Sequence, residues 1–269
     1  MAFALSFKAM IPCASLGRQR RPAGCLAAVQ AQWHPMNLQS LNLQAVMVDL
    51  DGTMVDTLGD FEQALNLALA DLALPSVARD VVERSVGKGS EHLIQSVLRH
   101  QLALPEAAAA RAAGRDVESL YPQAWLRYEH HYLAINGQYS RVFDGVIEGL
   151  RGLRERGLPL ACLTNKPLSF TRPLLASKGL DGFFVQVFGG DSFARKKPHP
   201  DPLLGTCAAL GTLPAQTLMV GDSSNDAQAA NAAGCPVVLM TYGYNHGEPI
   251  RQTPALAWLD SLQELLPLL

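Results

Sequence analysis

The chain has 269 residues, which is long enough for one large domain or two smaller ones with a substantial hydrophobic core. Hydrophobic residues make up 48% of it and charged residues 17%, as in globular proteins, and no apolar run approaches the roughly 18 residues that a membrane span needs. The net charge of -2 gives no general attraction to nucleic acid or to an anionic membrane surface, so we expect neither among its partners. The five cysteines form no CxxC pair, which predicts free thiols in a reducing, cytoplasmic setting.

The N-terminal segment differs in composition from the rest of the chain. No acidic residue precedes Asp49, whereas four basic residues lie within the first 21 positions. Transit peptides have this composition, but residues 1–35 contain neither a long apolar stretch nor a clean amphipathic helix. We therefore interpret residues 1–40 as a basic disordered extension or as the product of a start codon assigned too early, with Met36 as the first residue.

Short apolar runs rich in Val and Leu recur from residue 43 onward, each followed by a turn and a helical pattern. They occupy residues 43–50, 158–165, 183–190, 217–222 and 236–242. Their hydrophobicity is continuous rather than alternating, which predicts strands buried on both faces of a parallel sheet that helices cover. The predicted fold class is α/β, with a doubly wound, Rossmann-like parallel sheet.

A long helical segment separates the first two of these strands. It places apolar residues at spacings of three and four, as amphipathic helices do. We predict that residues 58–142 form a small inserted helical cap. Residues 41–57 and 143–269 then form the α/β core.

The stretch "VMVDLDGTMVDT", residues 46–57, places three carboxylates within eight positions. Such crowding is costly because like charges repel, and a bound cation or a proton-transfer role would explain it. Asp49 ends the first predicted strand, Thr164 and Asn165 end the second, and Asp222 ends the fourth. Ligands bind at this edge of open α/β sheets, so we expect these residues to converge on one crevice.

Two pairs of carboxylates suggest the chemistry of that crevice. Mg²⁺ prefers oxygen ligands, and Asp49 and Asp222 would supply two of them. Bound metal would keep Asp49 ionised as a nucleophile on phosphorus, and Asp51 would protonate the leaving oxygen and then activate water. Asp226 is either a second metal contact or a first-turn acid that complements a helix dipole.

Phosphoryl transfer also needs hydrogen-bond donors and positive charge around the phosphate oxygens. Gly52 would let the loop turn tightly and bring backbone N–H groups toward the phosphate, while Thr53 would fix that loop through its hydroxyl. Thr164 and the N–H of Asn165 are further candidates. Lys197, just before a proline-rich loop, is the predicted cation.

The motifs "DLDGT", "LTN", "KKPHP" and "GDSSND", in this order, resemble those of the haloacid dehalogenase superfamily of phosphohydrolases, from about residue 43 to the C-terminus. Within it, "TNKP", "NDAQAANAAGC" and "YGYNHGEP" look like stretches of the bacterial phosphoglycolate phosphatases. The resemblance implies that the nucleophile is Asp49 and the acid/base is Asp51. It also implies that Mg²⁺ is held by Asp49, Asp222 and the main-chain carbonyl of Asp51.

The activity implied by this resemblance is Mg²⁺-dependent hydrolysis of a small phosphorylated acid, 2-phosphoglycolate, through an aspartyl-phosphate. A phosphatase of sugar phosphates, including cell-wall sugar phosphates, is the alternative on the same scaffold, and a catalytically idle binding module is a third. In related capped phosphatases a cap loop leans over the site, so Lys88, flanked by two glycines, is either a contact for the substrate carboxylate or a solvated turn lysine.

Overall fold

A six-stranded parallel sheet forms the centre of the structure, a computed structural model that describes residues 38–269. The interpretations of the N-terminal extension therefore lie almost entirely outside the described residues. In chain order the strands are β1 (Ala45–Val48), β2 (Val55–Asp56), β3 (Arg141–Val142), β4 (Leu160–Leu163), β5 (Gln186–Phe188), β6 (Thr217–Gly221), β7 (Val237–Met240) and β8 (Ala257–Leu259). The order across the sheet is β5-β4-β1-β6-β7-β8, and every neighbouring pair is parallel.

The predicted fold class is confirmed. Each of the five apolar runs contains one strand of the sheet, and the sequence analysis missed only the edge strand β8. In β1, Val46 and Val48 point to one face of the sheet and Met47 to the other, and each face has its own buried cluster. Helices therefore cover both faces, as a doubly wound sheet requires.

Nine α-helices accompany the sheet in the described part of the chain. They are α1 (Leu58–Asp71), α2 (Arg79–Ser85), α3 (Ser90–Ala103), α4 (Ala108–Ala112), α5 (Val117–Ile135), α6 (Val146–Glu155), α7 (Leu168–Ser177), α8 (Asp201–Leu210) and α9 (Ser224–Ala233). Helices α6 and α7 pack on one face of the sheet, and α8 and α9 pack on the other. None of the helices within residues 38–269 has the length and apolarity that crossing a bilayer would take.

Helices α1 to α5 lie between β2 and β3, which pair antiparallel as a two-stranded ribbon. Their apolar side chains form a hydrophobic cluster of their own, in which Phe61 of α1 stacks on Tyr132 of α5 with ring centroids 5.7 Å apart. This cluster also includes Phe170 of α7 and Tyr244, so the helical segment packs against residues that follow the sheet strands.

The register of the sheet places the polar strand ends together. Val48 is opposite Cys162 of β4 and Val220 of β6, so the residues that follow β1, β4 and β6 lie at one edge. The three cysteines of the described residues are free and buried, in agreement with the expected free thiols.

Candidate active site

The loop after β1 carries the first two carboxylates and is held by contacts to the end of β6. Gly52 has φ of +82°, and a Cβ atom there would overlap the Asp222 carboxylate, so only glycine fits. Thr53 Oγ1 donates a hydrogen bond of 2.9 Å to Asp222 Oδ1. These contacts bring the loop that carries Asp49 and Asp51 close to Asp222.

The hydrogen bonds made by Gly52 and Thr53 hold this loop, as the sequence predicts for the tight turn and for the Thr53 hydroxyl. The Gly52 N–H donates to Val55 O at 2.9 Å, and the Thr53 hydroxyl is taken by Asp222. A donor engaged in this way is not free for a phosphate oxygen. Both residues shape the loop, and their part in binding phosphate stays a prediction.

Three carboxylates, Asp49, Asp222 and Asp226, meet below this loop. One ligand oxygen from each lies within 4.8 Å of the others, and all three residues are buried. The pKa of Asp49 is raised from 3.8 to about 7, chiefly by burial; the Lys197 ammonium opposes this rise, and the Asp226 and Asp51 carboxylates add to it. Burial also raises the pKa of Asp222 well above its ordinary value, and the neighbouring Asp226 and Asp49 carboxylates add to this effect.

A hard divalent cation fits this cluster. The buried Asp49 Oδ1 has no hydrogen-bond partner among the described residues; the Lys197 ammonium is 3.1 Å away but is not aligned for a hydrogen bond. Carboxylate oxygens are the ligands that Mg²⁺ prefers, and a cation would offset the repulsion between carboxylates that adds to the effect of burial on both pKa values. Asp49 and Asp222 are the residues that could hold it.

Asp226 has a different environment from the other two carboxylates. Its Oδ1 accepts a hydrogen bond from Lys197 Nζ at 2.7 Å. Its Oδ2 accepts from the Ser223 backbone N–H at 3.1 Å and the Ser223 hydroxyl at 2.7 Å, in a capping box at the start of α9. These contacts are those of a first-turn acid at the start of α9. Since each carboxylate oxygen can accept more than one contact, and Asp226 belongs to the same cluster as Asp49 and Asp222, its metal contact stays a prediction.

Lys197 lies at the centre of the negative charge. Its ammonium contacts Asp49 and Asp226 and donates to Leu163 O at 2.9 Å. Burial alone would lower the pKa of Lys197, but the two carboxylates outweigh it and raise the pKa above its ordinary value. The ammonium therefore stays charged beside Asp49, as the prediction of a phosphate-binding cation requires.

Thr164 and Asn165 extend from the end of β4 to the same place. Both line a cavity above the loop after β1, together with Asp49 and Asp51. The Asn165 amide also donates to Lys197 O at 2.8 Å and to Gly87 O at 3.0 Å. Asn165 therefore ties the Lys197 loop and the α2–α3 loop, residues 86–89, to the end of the strand.

The structure does not place Lys88 in this cavity. Its neighbours Gly87 and Gly89 line the cavity, whereas the Lys88 residue is exposed. A side chain in this position agrees with the solvated turn lysine, which was the alternative interpretation.

Sequence reasoning missed another lysine, Lys166, which does line the cavity. Its ammonium forms an ion pair of 2.8 Å with Asp51 Oδ1. Lys166 is the third residue after the end of β4, at the sheet edge where the ligand site was expected, and that position was the signal available in the sequence.

The cavity is small, and the helical segment forms one wall of it. Asp49, Asp51, Thr164, Asn165 and Lys166 form one side of it. The other side consists of Phe61, Val86, Gly87, Gly89, Ser90 and Leu93. Its volume of about 20 Å³ is close to the space that one water molecule needs.

The site thus consists of buried carboxylates and a buried lysine at the carboxyl ends of the strands of a doubly wound α/β sheet. The family model for haloacid dehalogenase-like hydrolases matches residues 43–234, and the chain belongs to this family. The resemblance inferred from the four motifs is thereby confirmed.

Individual relatives agree with this assignment. The chain is 40% identical to the phosphoglycolate phosphatase of Thiobacillus denitrificans over 225 residues, which cover 83% of this chain and 94% of that protein. It is 38% identical to the phosphoglycolate phosphatase of Salmonella typhimurium over 234 residues, covering 85% and 93%. The crystal structure of a predicted phosphoglycolate phosphatase from Haemophilus somnus superposes with a TM-score of 0.78 at 34% identity, covering 84% of this chain and 97% of that one.

Proposed function

We propose that this enzyme is a Mg²⁺-dependent phosphomonoester hydrolase that converts 2-phosphoglycolate to glycolate and phosphate. The observation that carries the proposal is the buried Asp49 carboxylate, which lies 3.1 Å from the Lys197 ammonium and shares a cation-compatible cluster with Asp222. The names of the relatives that cover most of the chain support the choice of substrate.

In the proposed reaction, an Asp49 oxygen attacks phosphorus and forms an aspartyl-phosphate while the bond to the ester oxygen breaks. Asp51 gives its proton to that leaving oxygen and later takes a proton from the water that attacks the aspartyl-phosphate. Lys197, Thr164 and the N–H of Asn165 would stabilise the charge on the phosphate oxygens. Bound Mg²⁺, held by Asp49, Asp222 and the Asp51 carbonyl, would neutralise charge on the nucleophile and the phosphoryl group.

We also propose that residues 58–142 act as a cap over the core formed by residues 41–57 and 143–269. The Gly87 carbonyl in the α2–α3 loop accepts hydrogen bonds from Asn165 at 3.0 Å and from Asn225 at 3.1 Å, so the loop is fastened to two core elements. A cavity of about 20 Å³ is too small for a phosphate ester to enter, so substrate entry would require the cap to move. Its closure would exclude bulk water from the phosphoryl step.

The relatives named phosphoglycolate phosphatase support a small leaving group such as glycolate over a sugar. The substrate is then a small phosphorylated acid. We further propose a reducing cytoplasm as the setting of the enzyme, because its described cysteines are free thiols.

The test is phosphate release from 2-phosphoglycolate, several sugar phosphates and an aryl phosphate, with Mg²⁺ or with EDTA. We expect the highest kcat/KM for 2-phosphoglycolate, and no turnover in EDTA or in Asp49→Asn. Asp181→Asn, which changes an exposed aspartate, is the matched control. Metal-dependent turnover that prefers a sugar phosphate would refute the substrate, and full activity of Asp49→Asn would refute the mechanism.

A further inference from the structure

Lys166 is a buried lysine to which the proposed reaction assigns no role. Its side chain is 1% exposed, and its ammonium lies 4.3 Å from the centroid of the Phe61 ring and 4.7 Å from that of the Tyr132 ring. A buried cation needs a charged partner, and Asp51 is that partner at 2.8 Å. The ammonium is thus fixed between two rings of the helical segment and the carboxylate that acts on the leaving oxygen.

The ammonium retains the capacity to bind a second anion. It carries three N–H donors, and in residues 38–269 its one hydrogen-bond acceptor is Asp51 Oδ1. The ring faces attract the positive charge but leave N–H donors available. Since Lys166 lines the cavity, a ligand there can accept from these donors.

The two buried lysines of the site lie beside different parts of the reaction. Lys197 pairs with Asp49, which attacks phosphorus, whereas Lys166 pairs with Asp51, which protonates the leaving oxygen. In 2-phosphoglycolate a single methylene group separates that oxygen from the carboxylate carbon. An ammonium in contact with the acid/base is therefore within reach of the substrate carboxylate.

The opposite wall of the cavity favours the same leaving group. On this wall Phe61, Val86 and Leu93 present no polar side-chain atom and Ser90 offers a single hydroxyl, so the wall has few partners for the several hydroxyl groups of a sugar. A hydroxyl group that is buried without a hydrogen-bond partner costs free energy, so the binding of sugar phosphates is disfavoured. Glycolate, the leaving group of 2-phosphoglycolate, needs a polar partner only for its carboxylate.

We propose that Lys166 binds the carboxylate of the leaving group and so determines the specificity of this enzyme for small phosphorylated acids. This inference rests on the proposed function. The Lys166 ammonium would bridge the substrate carboxylate and Asp51, and Phe61 and Tyr132 would hold it in place when the helical segment covers the site.

The experiment compares kcat and KM for 2-phosphoglycolate and for ethyl phosphate, which has the same chain length but lacks the carboxylate. The variants are Lys166→Met and Lys166→Gln, which remove the charge, and Lys166→Arg, which keeps it. Loss of the ion pair to Asp51 affects both substrates, so the ratio of the two kcat/KM values isolates recognition of the carboxylate. Circular dichroism and thermal unfolding identify any variant that does not fold, and Lys166→Gln replaces Lys166→Met in that case.

We expect the wild type to prefer 2-phosphoglycolate, and both neutral variants to lower this preference by about 30-fold or more, because a buried ion pair to the substrate is lost. The loss should include a higher KM for 2-phosphoglycolate, and Lys166→Arg should retain part of the preference. A wild-type preference that survives in both neutral variants, or that disappears in Lys88→Met instead, would overturn this inference alone. A wild type without any preference for the acid would refute the proposed substrate.

Discussion

The metal-free protein should be more stable without the Asp49 charge than with it. Burial raises the pKa of Asp49 from 3.8 to about 7 in the folded state, so ionisation of this group opposes folding. Because the folded pKa is the higher one, the penalty is absent below the unfolded pKa, grows between about pH 4 and pH 7, and is complete above pH 7. At about 1.4 kcal/mol for each pKa unit, a shift of about three units amounts to about 4 kcal/mol.

The perturbation is Asp49→Asn, which keeps the size of the side chain and removes its charge. In EDTA at pH 8 the variant should gain up to about 4 kcal/mol over the wild type. For a chain of this size that corresponds to a rise in Tm of roughly 8–16 °C. At pH 5 the gain should fall to under about 2 kcal/mol, since the penalty is then only partly developed.

Thermal unfolding in EDTA at both pH values measures this difference, with Asp181→Asn as the control that should not change Tm. Added Mg²⁺ should raise the Tm of the wild type more than that of Asp49→Asn, because the variant has lost a charged ligand. A variant that unfolds below the wild type at pH 8 in EDTA would refute the reasoning, since the buried charge would then stabilise the fold.

Three further predictions concern contacts around the site. Lys197→Met leaves two buried carboxylates without their cation. We therefore expect the free energy of unfolding, measured by thermal unfolding, to fall by about 3–5 kcal/mol and phosphate release to be lost. Unchanged stability would contradict the ion pairs seen here. Gly52→Ala forces a residue with φ of +82° to carry a Cβ atom against Asp222, so kcat should fall at least 100-fold. Gly182→Ala, where a Cβ atom meets open space, is the control that should keep normal kcat. Near-normal kcat in Gly52→Ala would show that the loop can move away. Asn225→Ala removes one of the two hydrogen bonds to the Gly87 carbonyl, which contributes about 1 kcal/mol to the stability of the loop. Amide hydrogen exchange in residues 86–89 should become faster, and KM should rise. Unchanged exchange would argue that this hydrogen bond does not hold the loop.

The sequence by itself determined the architecture of the sheet. Continuous apolar runs are typical of strands buried on both faces, and each of the five runs contains a strand of the parallel sheet, although the edge strand β5 is only partly buried. The edge strand β8, Ala257–Leu259, was missed because the short apolar run that contains it, residues 255–259, has no β-branched residue, and such a run is not assigned to a strand by periodicity. The convergence of Asp49, Thr164 and Asp222 also followed from the sequence, because parallel strands bring their carboxyl ends to one edge.

Only the tertiary structure decided which side chains are free to act at that edge. Composition and spacing do not show that the Thr53 hydroxyl is taken by Asp222, or that both Asp226 oxygens are engaged by Lys197 and the start of α9. Nor do they show that Lys88 is exposed while Lys166 is buried against Asp51, since the neighbours of each lysine come from segments distant in the chain. The backbone pattern that places residues at a strand end is local and can be read from the sequence, whereas hydrogen bonds and ion pairs depend on packing between elements.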